Sequence, residues 1–180
     1  VLSSRGSALK ENYSDFPEYN TQLIVNKDSL NSIAKLLVEN SFQMNTRAFG
    51  DAANEMVLDT YNSILIELDD PRWRIEHIHA ISKEDISKFN SKIIPSIQPS
   101  QAISQMQWAK LRLGTERIKN AFAYKGLLDW SGVLALGSNL PYEDIRPIHT
   151  FDSAVTRGIK NTDCMDGSKV KTLVERTGAL

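Results

Sequence analysis

Trp73-Arg74-Ile75-Glu76-His77-Ile78-His79 is the stretch of the sequence that is most informative about the fold. Trp, Ile and His alternate with Arg, Glu and Ile in the period of two that is typical of a strand, and Pro71 ends the preceding helix. Ser82 follows as a helix N-cap, with Asp85 in the capping-box position. The stretch therefore joins a strand to a helix and carries a carboxylate and two imidazoles. In parallel α/β folds, active-site groups gather at such junctions.

Similar patterns along the chain predict further strands and helices. Strands are expected at about residues 42–47, 73–77, 93–98 and 133–139, and the last of these is predicted to be the most clearly buried. Helical spacing of apolar residues predicts helices over about 30–38 and 52–68, a short helix near 86–89, and two helices within 104–130 that are separated at Gly114. Residues 1–22 lack periodicity, which predicts a long surface loop.

The alternation of helices and strands predicts parallel βαβ units with right-handed crossovers. A doubly wound sheet and a part of a (β/α)₈ barrel both fit this order. The chain has 180 residues, whereas a complete barrel usually takes about 250. Length therefore favours an open sheet or half a barrel.

Composition describes an ordinary soluble globular chain, with 41% hydrophobic residues, 24% charged residues and a net charge of -1. The absence of a basic cluster argues against a nucleic-acid partner and against a membrane surface. No apolar run approaches the roughly 20 residues that span a bilayer, and no signal-peptide pattern is present, so we expect a cytoplasmic protein. The single cysteine, Cys164, excludes an internal disulfide and a cysteine-rich metal site.

Several motifs occur in the order and spacing of a known family. Arg74-Ile75-Glu76-His77, Ile97-Gln98-Pro99 and Gly137-Ser138-Asn139-Leu140-Pro141 resemble the N-substituted formamide deformylase-like branch of the amidohydrolase superfamily. The resemblance covers about residues 1–158, and the tail 159–180 matches poorly. Further matches are Ser4-Arg5-Gly6, Tyr13-Ser14-Asp15, residues 48–54, Trp108-Ala109, Arg112-Leu113-Gly114 and Ala154-Val155-Thr156-Arg157.

This resemblance implies a partial (β/α)₈ TIM-type barrel, in which the predicted strands are the family's strands five to eight. It implies a metal, zinc or another divalent ion, at the carboxyl ends of the strands and a small-molecule amide as substrate. The histidine pair of strand one and the lysine of strand four lie outside this chain. The expectation for the isolated chain is that it holds no metal.

The resemblance also assigns candidate site residues. His77 occupies a metal-ligand position, and Glu76 beside it is assigned to the catalytic residues, either orienting His77 or forming a hydrogen bond at the strand end. Gln98 either lines the substrate pocket or is a satisfied polar residue at the end of its strand. Arg47 stands where strand five carries a histidine, and its charged guanidinium has no lone pair for a metal, so it is assigned to substrate binding. Asn139 occupies the catalytic position of the strand-eight aspartate, but its neutral amide is not basic enough to take a proton from water.

Other polar residues receive structural roles. Asp51 and Asn54 are predicted to cap the helix that begins there, and His149 is predicted to be a surface or loop-packing histidine. If the strand continued past His77, then His79 would point to the same side, but a two-histidine site falls short of the three or four ligands that zinc takes in proteins.

Two functions remain open at this stage. The first is a metal-dependent hydrolase of non-peptide C–N bonds, in which metal-bound hydroxide attacks an amide or formamide carbonyl. The second is a non-catalytic barrel remnant or a partner-binding half-barrel, which the residues Arg47 and Asn139 favour. Open sheet edges would also give such a half-barrel a route to self-association.

Overall fold

The structure, a computed structural model, describes residues 1–156. Six helices and four short strands alternate along this part of the chain, with one 3₁₀ turn after the fourth helix. The predicted tail 159–180 and Cys164 lie outside the described residues. In chain order the elements are α1 (Lys27–Glu39), β1 (Asn45–Ala48), α2 (Asp51–Ile64), β2 (Trp73–His77), α3 (Lys83–Ile86), β3 (Ile93–Ile97), α4 (Pro99–Arg117), the 3₁₀ turn (Ile118–Asn120), α5 (Tyr124–Ser131), β4 (Ala135–Leu136) and α6 (Pro147–Thr156).

The strands form one sheet in the order β1-β2-β3-β4, and every neighbouring pair is parallel. Ile75 of β2 is in register with Thr46 on one side and with Pro95 on the other. Each strand pairs with the next one along the chain, and helices lie between them, which is the arrangement within a (β/α)₈ barrel. The predicted fold, a partial TIM-type barrel, is confirmed.

The two faces of the sheet differ in chemistry. Trp73 and Ile75 are 1% and 0% exposed, and the Trp73 ring meets Tyr61 of α2 edge-on at 4.9 Å between centroids. Arg74 and Glu76 occupy the alternate positions and are partly exposed. The apolar face is therefore packed against helices, and this burial is the main source of stability of the sheet.

The edge strands are shorter than the sequence predicts. β1 begins at Asn45 rather than at residue 42, because Phe42 lies in the turn that follows α1, where its N–H donates to the carbonyl of Leu37 at 2.8 Å. The prediction of a buried strand over 133–139 is wrong in extent and burial, since β4 spans two residues and Val133 is 54% exposed. Among residues 1–156, β4 pairs only with β3, and no other strand covers its second edge.

The amino-terminal residues are irregular and mostly exposed, as predicted for a surface loop, but a few of their side chains are buried in the core. Leu2 and Tyr13 are fully buried. The Arg112 guanidinium of α4 donates to the Ser3 carbonyl at 3.0 Å and pairs with Asp15. A long polar segment can therefore belong to the core when a few of its side chains are anchored to a helix.

The ends of the helices follow local signals with two exceptions. Asn26 caps α1 by accepting a hydrogen bond from the Ser29 N–H at 2.8 Å. Ser82 occupies the N-cap position of α3 as predicted, but its hydroxyl donates to the Asp85 carboxylate at 2.6 Å and caps no backbone N–H. The interruption predicted at Gly114 is confirmed, since its φ of 72° breaks α4. α2 ends at Ile64 rather than at residue 68. No helix among residues 1–156 is both long and apolar enough to cross a membrane.

The predicted capping roles of Asp51 and Asn54 are wrong. Gly50 is the N-cap of α2, and Asp51 instead accepts the Lys10 N–H at 2.9 Å. The Asn54 amide is buried and donates to the carbonyls of Gly50 at 2.9 Å and Ala80 at 3.0 Å. Asn54 therefore joins the turn after β1 to the turn after β2.

Candidate active site

The carboxyl ends of the parallel strands bring the predicted site residues to one end of the sheet. His77 is the last residue of β2, and Gln98 follows the last residue of β3. The Gly137 N–H donates to the Ile97 carbonyl at 2.9 Å, which places Asn139 two residues beyond the paired part of the sheet. His77, Gln98 and Asn139 thus lie at the same end, although their roles stay predictions.

The backbone turns sharply directly after β2. His77 has a φ of 82° and Ile78 a φ of 47°. Positive φ is a genuine outlier for a β-branched residue, and strain of this kind is concentrated at functional sites. The turn is held by the Phe49 carbonyl, which accepts the N–H groups of His79 at 3.1 Å and Ala80 at 2.9 Å. The strand therefore does not continue past His77.

Because of this turn, both imidazoles reach one residue that the sequence did not reveal. The Gln101 side-chain oxygen lies 3.1 Å from His77 Nδ1 and 3.0 Å from His79 Nε2. All three side chains are buried, with exposures of 5%, 2% and 6% for His77, His79 and Gln101. The position of Gln101 in the sequence was informative, since it lies in the first turn of a helix that begins at the end of β3, where site residues gather. The two-histidine arrangement is therefore built around an amide.

Burial keeps both imidazoles neutral. Burial lowers the pKa of His77 below its ordinary value, and the positive charge of Arg47 lowers it further. The hydrogen bond with Gln101 acts in the opposite direction, but it does not outweigh burial. Burial lowers the pKa of His79 to about 3, again against the hydrogen bond with Gln101. At neutral pH the two rings are therefore hydrogen-bonding groups without charge.

Phe49 separates Arg47 from the histidines. The Phe49 ring stacks on His77 with centroids 4.2 Å apart, and the Arg47 guanidinium carbon lies 5.4 Å from the centroid of the same ring. Arg47 is exposed and has no ion pair among residues 1–156. An arginine at this place offers hydrogen-bond donors and a positive charge to a ligand.

The other predicted residues have different surroundings. Glu76 was expected to orient His77, but its carboxylate pairs with Arg74 at 3.0 Å, and the group bonded to His77 is Gln101. Gln98 is 7% exposed, and its buried side-chain oxygen has no hydrogen-bond partner among residues 1–156. The site therefore contains an unsatisfied acceptor, whose burial is costly unless a donor reaches it.

Asn139 lies in the segment between β4 and α6, and His149 lies on α6. Asn139 adopts a φ of 62°, a left-handed conformation that asparagine tolerates, and its carbonyl accepts the Tyr142 N–H at 3.0 Å. His149 is on α6 and is partly exposed, with its Nδ1 3.2 Å from Asp144. Among the described residues, no hydrogen bond or ion pair joins His149 to the strand-end residues.

The side chains present do not make a metal centre. Within residues 1–156, no three His, Cys, Asp or Glu side chains lie close enough together to hold a metal ion. Arg47 cannot donate a lone pair, and the facing nitrogens of His77 and His79 already share the oxygen of Gln101. Zinc sites normally take three or four protein ligands. The donor set of this part of the chain does not fit a divalent metal.

Comparisons with known proteins agree with this fold. An Arabidopsis thaliana protein, LONG AFTER FAR-RED 3, is 31% identical over 160 residues, which are 87% of this chain and 27% of that protein. The putative amidohydrolase YtcJ of Bacillus subtilis is 31% identical over 162 residues, which are 87% of this chain and 30% of that protein. The chain therefore spans less than a third of the length of these two relatives.

Solved structures show the same architecture. An uncharacterized metal-dependent hydrolase from Pyrococcus horikoshii matches with a TM-score of 0.77 and 29% identity, covering 100% of this chain and 35% of that one. A second such hydrolase, from Pyrococcus furiosus, matches with a TM-score of 0.78 and 24% identity, covering 99% of this chain and 38% of that one, and shows the fold alone. The family model described as "Amidohydrolase family" matches residues 1–175. The chain belongs to the amidohydrolase family.

Proposed function

We propose that this chain forms the carboxyl-side part of an amidohydrolase-type site that binds an amide-bearing small molecule without itself supporting metal-dependent hydrolysis. The observation that carries the proposal is the set of residues at the strand ends. Arg47, His77 and Asn139 stand there, and only the histidine is an ordinary ligand for zinc. Arg47 and Asn139 stand where the resemblance implies a histidine and an aspartate. Both positions belong to this chain, so residues elsewhere in a longer protein would not restore these ligands.

The remaining polar groups supply one hydrogen-bond acceptor and one set of donors for an amide. The unpartnered Gln98 side-chain oxygen can accept a ligand N–H, and the Arg47 guanidinium can donate to a ligand carbonyl oxygen. The neutral histidines add no charge that a neutral ligand would have to compensate. The motifs shared with the N-substituted formamide deformylase-like branch support N-formyl and N-acyl amines as the ligand class.

The second candidate function is metal-dependent hydrolysis of the same amides. Its support is His77, which keeps a family ligand position and has one ring nitrogen that is not bonded to Gln101. A zinc or other divalent ion would need donors in addition to this nitrogen. Hydrolysis also needs a group that takes a proton from water, and Asn139 is too weak a base for that task.

A panel of N-formyl and N-acyl amines distinguishes the two candidates. Calorimetric titration of the 180-residue chain should give saturable binding, and amine release should stay at background with added zinc. Gln98→Leu should weaken binding by about fivefold to 100-fold, since one hydrogen bond to a buried group is worth about 1–3 kcal/mol. Gln107→Leu, an exposed position on α4, is the matched control and should bind as the native chain does. Zinc-dependent amine release by the native chain, or no binding of any amide, would contradict the proposal.

A further inference from the structure

The strongest unassigned feature is the hydrogen-bonded trio of Gln101, His77 and His79. One acceptor oxygen meets a different ring nitrogen of each histidine, Nδ1 of His77 and Nε2 of His79. A neutral imidazole carries one N–H and one bare nitrogen, and the hydrogen bond made by one nitrogen fixes the role of the other. A single side chain can therefore determine the state of both rings.

We infer that Gln101 is a positioning residue that holds His77 as the Nδ1–H tautomer and His79 as the Nε2–H tautomer. Both N–H groups donate to the Gln101 oxygen. His77 Nε2 is then the bare nitrogen, and this atom is the one that can accept a ligand N–H at the strand end. The inference does not depend on the proposed function, because it concerns the state of the protein without ligand.

The opposite arrangement is less favourable. If the Gln101 amide nitrogen faced the rings, both facing ring nitrogens would be acceptors, and His79 Nδ1 would carry the proton. His79 Nδ1 is buried and has no hydrogen-bond partner in the described part of the chain. A buried donor without a partner is rarer in proteins than a buried acceptor without one. The orientation with the Gln101 oxygen toward both rings leaves only an acceptor unsatisfied.

The conformation of the histidines supports a positioning role. His77 is held from one side by the Phe49 ring at 4.2 Å, and its φ of 82° follows from the turn that brings His79 to the same glutamine. In free neutral histidine the Nε2–H tautomer predominates, so His77 departs from its intrinsic preference and His79 does not. Removal of the Gln101 amide should therefore affect mainly His77.

Nitrogen-15 NMR of the labelled 180-residue chain at neutral pH tests this inference directly. Long-range proton–nitrogen correlations report which ring nitrogen carries the proton. The chain has three histidines, so the spectra of a His149→Gln variant and of one further histidine variant assign the signals to His77 and His79. We expect Nδ1–H for His77 and Nε2–H for His79. Nε2–H at His77 or Nδ1–H at His79 in the native chain would overturn the inference.

Variants separate positioning from general support of the fold. Gln101→Leu should convert His77 to mainly Nε2–H, whereas exposed Gln107→Leu on the same helix should leave both tautomers unchanged. Gln101→Glu retains an acceptor oxygen and should keep protons on His77 Nδ1 and His79 Nε2. If Gln101→Leu fails to fold, the native spectrum and Gln101→Glu still decide the matter. Retention of Nδ1–H at His77 in a folded Gln101→Leu chain, or its loss in Gln101→Glu, would contradict a role for the Gln101 oxygen.

Discussion

Gly114 of α4 packs directly against Ser14 of the amino-terminal segment. A Cβ built on Gly114 would lie 2.7 Å from Ser14 Oγ, and the Gly114 backbone has a φ of 72° and a ψ of -175°, a region that is essentially restricted to glycine. The Ser14 N–H also donates to the Arg112 carbonyl at 2.9 Å. The break in α4 is thus the place where the amino-terminal segment is attached.

Gly114→Ala should destabilise the chain through both strain and contact. The backbone conformation alone costs about 1–3 kcal/mol, and the contact with Ser14 adds to this. Gly132→Ala is the control, because Gly132 has a φ of 73° but nothing within 4 Å of its would-be Cβ. Urea unfolding should show a larger loss for Gly114→Ala. Equal losses would mean that neither the Ser14 contact nor the extended positive-φ backbone of Gly114, which differs from the αL conformation of Gly132, adds strain.

Gly50→Ala tests how tightly the amino-terminal segment covers the turn after β1. The added Cβ would lie 1.9 Å from the Ala8 carbonyl oxygen, which is backbone and cannot rotate away. We expect a loss of about 3 kcal/mol in the free energy of unfolding, at the upper end of typical overpacking costs. The control is Gly137→Ala, where a Cβ meets nothing within 4 Å and φ is not left-handed. A Gly50→Ala chain as stable as this control would show that Ala8 does not pack against Gly50 as described.

The fold was more predictable from sequence than the site. The pattern of alternating residues at Trp73–His77 placed β2 correctly, because one face of that strand is buried against Tyr61. The apolar run 133–139 misled the prediction, since an apolar sequence indicates burial only if the chain supplies the covering element. The burial of Leu2 and Tyr13 was not predicted, because the segment around them is polar and the residue that anchors it, Arg112, lies far along the chain.

In the site, the strand-end positions could be predicted and the contacts could not. The parallel order of strands predicts that His77, Gln98 and Asn139 share one end of the sheet. The pairing of His77 with Gln101 instead of Glu76 depends on the left-handed residues at 77–78, which local sequence preferences disfavour. Strain of this kind is set by tertiary contacts and therefore has no sequence signature.

Asp85 links the amino-terminal segment to α3 and should give the chain an acid-sensitive element. Its side chain is 1% exposed and forms ion pairs with Lys10 and Lys88, both at 2.7 Å. Burial alone would raise the pKa of Asp85, but the hydrogen bonds from Lys10, Lys88 and Ser82 outweigh it, so the pKa lies below its ordinary value of 3.8.

A carboxylate with a lowered pKa stabilises the fold above its unfolded pKa and loses this effect as the pH falls through its folded pKa. Asp85→Asn should lower the free energy of unfolding by about 2 kcal/mol at pH 7. Breaking a fully buried ion pair typically costs roughly 3–5 kcal/mol, and we expect less here because both lysines are about a third exposed. The difference from the native chain should shrink as the pH falls below 3.8. Urea unfolding at pH 7 and in this acid range measures it, and a difference that grew toward acid would contradict the assignment.

The most direct test of the central claim is the metal content of the 180-residue chain after exposure to zinc and dialysis, measured by inductively coupled plasma mass spectrometry. The claim is that Arg47 and Asn139 deprive the strand ends of their metal ligands, so the native chain should retain far less than one zinc per chain. The Arg47→His, Asn139→Asp double variant should retain more, and His77→Ala in that background should remove the gain. One zinc per native chain, lost in His77→Ala, would contradict the account.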